Sequence, residues 1–85
     1  MEETRILGIM IEDRIKEAGR VQRTLSEYAG SIQNRLGFHE VSSAICSRVG
    51  VILLHLKGDP ESWDRLERDL EGIGGIRKQR MSFKH

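Results

Sequence analysis

A single cysteine, Cys46, is all the thiol this chain of 85 residues carries, so no intramolecular disulfide can form. That excludes a secreted, disulfide-stapled scaffold and agrees with a reducing cytoplasm. Aromatic residues are scarce at 5%, and none lies in the two most apolar segments, Ile6–Ile11 and Val49–Leu56. Excess charge is also missing: 14 Lys and Arg against 13 Asp and Glu leave a net charge of +1, too little to pull the chain to nucleic acid or a membrane surface. No apolar run approaches the ~20 residues of a membrane span. The Met1-Glu2-Glu3-Thr4-Arg5 start is too acidic, and the apolar run after it too short, for a secretory leader. The expectation is a cytoplasmic protein with no membrane partner.

What is present describes one small domain over residues 1–85. A hydrophobic share of 38% beside 32% charged residues suits a small core under a well-solvated surface. At this length the net stability is expected at about 4–12 kcal/mol.

Ile6–Ile11 is a continuous apolar run whose length and branched residues predict a buried strand. From Ile15 the spacing changes to three and four. Ile15, Ala18, Val21, Leu25 and Tyr28 or Ala29 form the apolar stripe of an amphipathic helix that Gly30 stops. Ile32–His39 alternates loosely, as a half-exposed strand does. Glu40–Arg48 reads as a long hairpin connection, and Val49–Leu56 as a central strand apolar on both faces. Asp59-Pro60-Glu61-Ser62 is a helix start, with an N-cap aspartate and proline at the first helical position. Trp63, Leu66, Leu70 and Ile73 make that helix's stripe, and Gly74-Gly75 is expected to be its left-handed cap. Ile76–Phe83 alternates basic and apolar residues, as a protected edge strand does.

The order βαββαβ, with its most apolar strands first and third, predicts an α+β ferredoxin-like sandwich. Its four-stranded antiparallel sheet has the order 4-1-3-2, with both helices on one face. Two strands apolar on both sides then leave large aliphatics facing water in a monomer. The expected consequence is assembly into a dimer or tetramer through the uncovered face, assigned to Ile6, Met10, Ile52, Leu54 and Leu56.

The polar residues suggest less. Glu12-Asp13-Arg14 at the first strand–helix turn, with Arg35 and His39, is the candidate ligand site, through charge-assisted bonds to an anionic group. Helix capping is the simpler and favoured explanation of Asp13. His39, Cys46 and His55 are the metal-ligand candidates. With no Cys-x-x-Cys or His-x-x-x-His pair, they read as surface or interface residues, and a metal would need symmetry copies to complete its site. The acids fall on helix exteriors, and neither a P-loop nor a G-x-G-x-x-G occurs, so no enzyme and no cofactor are expected. Central strands without aromatics do not stack bases, so direct nucleic-acid binding is not expected either.

Arg5-Ile6-Leu7-Gly8-Ile9-Met10-Ile11-Glu12-Asp13-Arg14, Leu25-Ser26-Glu27-Tyr28, Arg35-Leu36-Gly37-Phe38, Gly50–Lys57 and Ile73-Gly74-Gly75-Ile76 together resemble the small proteins described as regulators of the iron-only hydrogenase system. That family is similar to ACT-type domains and to the ligand-binding half of the nickel-responsive repressor. The resemblance implies an oligomeric regulatory or ligand-sensing module, with a small molecule or a regulator protein as its partner. A metal-sensing module with an inter-subunit site and a small ferredoxin-fold enzyme are the alternatives. Where Leu56-Lys57-Gly58-Asp59 resembles the nickel repressor, the repressor's ligand cysteine falls on Gly50, which argues against nickel binding in that manner.

Overall fold

A computed structural model describes residues 2–38 and 49–85. Strand β1 (Glu3–Ile11) leads into helix α1 (Arg14–Glu27), a short 3-10 turn (Ala29–Ser31) and strand β2 (Ile32–Phe38). Strand β3 (Gly50–Leu56), helix α2 (Pro60–Glu71) and strand β4 (Ile76–Lys84) complete the chain. The sheet order is β2-β3-β1-β4 with every pairing antiparallel, so the fold is the ferredoxin-like sandwich expected from the sequence.

The helices begin where capping chemistry predicts. Asp13 accepts a hydrogen bond from the Lys16 amide at 3.3 Å, and Asp59 accepts one from the Glu61 amide at 3.1 Å with Pro60 following it. The end of α2 differs from expectation. Gly72 caps the helix in a right-handed conformation, while the left-handed residue is Gly75, at φ +76°, in the turn that starts β4. Gly58, at φ +85°, makes the turn between β3 and α2.

The core forms where both helices cover one side of the sheet. Leu7, Ile9 and Ile11 of β1 and Ile52, Leu54 and Leu56 of β3 meet Val21 and Leu25 of α1 and Trp63, Leu66 and Leu70 of α2, with Ile73 just beyond α2. Trp63 is fully interior because its indole N–H donates to the Lys57 carbonyl at 2.7 Å, leaving no buried donor unpaired. Ile15, expected in the α1 stripe, is instead 67% exposed. The buried positions of α1 are Glu17, Val21 and Leu25, each four residues from the next, so the stripe starts two residues later and includes a carboxylate.

That register corrects the interface assigned from sequence. Ile52, Leu54 and Leu56 lie on the helix-covered side and belong to the core. Their alternating neighbours Val51, Leu53 and His55 occupy the open side, because Met10 pairs with Val51, Gly8 with Leu53 and Ile6 with His55. Ile6 and Met10 are on the open side as assigned.

Candidate functional site

The open side of the sheet is an apolar candidate surface. Ile6 and Met10 of β1 flank Gly8, with Val51 and Leu53 beside them on β3. Leu36 continues the surface on β2, opposite Leu53, and Met81 and Phe83 continue it on β4, opposite Ile6 and Thr4. Leu36 is 57% exposed, Met81 54%, Phe83 51% and Leu53 38%. Gly8 has no side chain to fill the row, which leaves a depression of about 510 Å³ bordered by Met10, Val51, Arg77 and Gln79. Arg77 and Lys78 are the charged residues of this rim; Arg77 Nε donates to Glu12 Oε1 at 2.7 Å, and Lys78 Nζ donates to Glu67 on the helix side at 2.9 Å. The centre of the face is therefore apolar and its edge polar, the pattern of a protein–protein docking surface.

The sequence-predicted ligand residues divide. Arg14, on the first turn of α1, and Arg35, on β2, line one cleft of about 170 Å³ with Ala18 and Gln22. Asp13 is not among the lining residues and caps α1. His39 and Cys46 lie outside the described residues. His55 sits on the open side of the sheet, opposite Ile6 and Asn34. Among the described residues, no group of three or more His, Cys, Asp or Glu side chains comes together in a metal-binding arrangement. His85 shares a 3.0 Å hydrogen bond with Thr4 Oγ1, and its backbone pairs with Glu2, which ties the two ends of the chain together.

Sequence reasoning missed the third polar centre, beneath α2. Arg5 is 4% exposed and points to the helix side, in phase with Leu7, Ile9 and Ile11. Its Nε donates to Glu3 at 2.8 Å, and its Nη1 donates to Asp64 at 2.8 Å and to Glu67 at 2.7 Å. The guanidinium also lies 5.3 Å from the Trp63 ring centre, within cation–π range. Lys78 of β4 donates to the second oxygen of Glu67 and lies 2.9 Å from Glu71. Hydrogen bonds from Arg5 hold the Glu3 and Asp64 carboxyls below their ordinary values, and Lys78 does the same for Glu71. The Lys78 ammonium is raised in turn, mainly by its bond to Glu67. Every cation here faces a carboxylate, so the cluster pins α2 to β1 and β4 rather than offering a free charge to a ligand. Arg5 standing in phase with the buried row, with Asp64 and Glu67 three apart on a helix, was the signal available in the sequence.

A βαββαβ sandwich with an apolar, uncovered sheet face places the chain in the ferredoxin-like class. No family profile matches it, and no curated protein does. Among solved structures, the uncharacterized protein TM1266 from Thermotoga maritima is 30% identical, with 98% of this chain and 100% of that one covered at a TM-score of 0.80. The chain belongs to the family of that protein. A nitrogen regulatory PII-like protein from Thiomonas intermedia K12, described as bound to ADP, AMP and bicarbonate, shares the fold at 12% identity, covering 99% and 96% of the two chains with a TM-score of 0.58. A dimeric ferredoxin-like protein of unknown function from Thermobifida fusca shares it at 11% identity, 98% and 91% coverage and a TM-score of 0.51.

Proposed function

We propose that this protein is a cytoplasmic, homo-oligomeric regulatory or ligand-sensing module with no catalysis of its own, acting within the iron-only hydrogenase system that its sequence resembles. The observation that carries the reading is the open sheet face, with Ile6, Met10, Leu36, Val51, Leu53, Met81 and Phe83 on it. Covering the four most exposed of these side chains removes roughly 400 Å² per protomer from water. For a pair that is about 20 kcal/mol of gross driving force, against about 4–15 kcal/mol for lost freedom of motion. A second copy is the occupant that suits the face: an apolar centre meets an apolar centre across a two-fold axis, and the two cations lining its central depression are already bonded to carboxylates, Arg77 to Glu12 and Lys78 to Glu67. The fold neighbour from Thermobifida fusca is described as dimeric, which supports pairing without indicating the face. The sensing half of the reading is supported by the PII-like neighbour, described with bound nucleotides.

Leu53→Glu tests the docking face. The substitution leaves the core intact but places an unpaired carboxylate at the centre of the interface, so the dimer dissociation constant rises by about a hundredfold or more. Sedimentation velocity on the variant should show the monomer at concentrations where the unaltered chain is paired. An unchanged sedimentation coefficient would count against this face.

A further inference from the structure

The cleft lined by Arg14 and Arg35 brings two cations from different elements, α1 and β2, together on the helix side of the sheet. We propose that it binds a small oxyanion carrying two or more negative charges, a phosphate or a polycarboxylate. The proposal deepens the sensing reading, resting on it for biological meaning but not for geometry. Arg14, Ala18 and Gln22 are spaced by four along α1 and share one helix face. Across from them, Arg35 pairs with Leu54 in the sheet, which puts its side chain on the helix side. Arg35 makes no ion pair with any described residue. Ala18 is small enough to leave the space between the two cations open, and Gln22 adds an amide donor.

Two glycines shape the floor. A Cβ on Gly50 would sit 3.6 Å from both Cβ and Cδ of Arg14, so the arginine stem lies packed across bare backbone. At Gly37 the nearest atom to such a Cβ is 3.9 Å away, so the floor stays clear. Among the described residues, no carboxylate lines this cleft. The concave surface over the Arg5 cluster sets Asp64, Glu67 and Glu71 against Arg68, Lys78 and Arg80 and is balanced. The inference rests on the two side chains rather than on the start of α1, where Asp13 already accepts from the Lys16 amide. Two guanidinium groups and an amide around an apolar floor match the planar, multidentate oxygens of such an anion.

The full-length chain, titrated with inorganic phosphate and separately with citrate at constant ionic strength set by sodium chloride, tests this by calorimetry and by thermal shift. The expected result is saturable binding of at least one anion, with a melting temperature that rises with ligand excess. Tighter binding of phosphate points to a phosphorylated ligand, and tighter binding of citrate to a polycarboxylate. Arg35→Gln should weaken binding about tenfold or more, because one charge-assisted bond is lost. Gln22→Glu, an exposed helix position that folds regardless, should abolish it by adding negative charge. Arg65→Gln, on the outer face of α2, should leave it unchanged. Shifts no larger than those from chloride, or full affinity in both Arg35→Gln and Gln22→Glu, would overturn the site. The cleft lies on the helix side of the sheet, so a failure here leaves the measured oligomer mass, and the docking face with it, untouched.

Discussion

Replacing Arg5 with methionine probes what holds α2 against the sheet. The guanidinium is 4% exposed and gives hydrogen bonds to Glu3, Asp64 and Glu67 at 2.7–2.8 Å. Methionine keeps much of the stem's volume but strands Glu67, whose side chain is only 7% exposed. Removing one partner of a buried pair costs about 3–5 kcal/mol. The lower end applies here, since Lys78 stays 2.9 Å from Glu67 and Arg80 stays 3.6 Å away. Asp64 is half exposed and is rehydrated at little cost. A loss of about 3 kcal/mol out of a total of about 4–12 kcal/mol lowers the melting temperature by some 12–24 °C. Urea titration at fixed protein concentration measures it, because a dimer's apparent stability depends on concentration. Arg5→Lys should fall between the two, keeping the charge but losing the forked geometry and the stacking on Trp63. The double variant Arg5→Met with Glu67→Gln should be more stable than the two single losses add up to, since the stranded charge has gone. A loss below about 1 kcal/mol in Arg5→Met, or strict additivity in the double variant, would refute the reasoning.

Two further outcomes follow from the same chemistry. The Glu3, Asp64 and Glu71 carboxyls are depressed in the folded state. Their stabilisation is present above about pH 4, the unfolded range, and is lost as pH falls through the lower folded values. Lys78 is raised, so its share is present below about pH 10.4 and lost as pH climbs past it. Melting temperature followed against pH should therefore drop below pH ~4 and again above pH ~10, and a maximum below pH 4 would contradict the assignment. Glu17→Met should leave stability within about 1 kcal/mol or raise it, because Glu17 Oε2 is buried with no hydrogen-bond partner among the described residues and Arg20 lies 3.5 Å off in an exposed position. A loss above about 2 kcal/mol in urea would show that this carboxylate holds something in place.

The topology was legible because each helix start carries its own chemistry and because the two central strands are apolar throughout. The same property hid the face assignment. A strand apolar on both sides has no alternation to show which side is covered, so Ile52, Leu54 and Leu56 could not be separated from Val51 and Leu53 without the register. Ile15 misled for a related reason: it fits the helical period but sits in the first turn, beyond the sheet's cover. Arg5 was hidden by its charge, since a cation at the head of a strand reads as a solvated boundary until its helix partners are brought beside it. Arg14 and Arg35 were grouped with Asp13 and His39 in one candidate site from the sequence. Only the packing of α1 beside β2 puts them in one cleft, and it leaves Asp13 outside.

The central claim is that a second copy covers the open sheet face, and equilibrium sedimentation of the unaltered chain at micromolar concentration tests it most directly. A mass of twice 9.7 kDa, or a higher even multiple, is the predicted result. A single species of 9.7 kDa across the concentration range would contradict it.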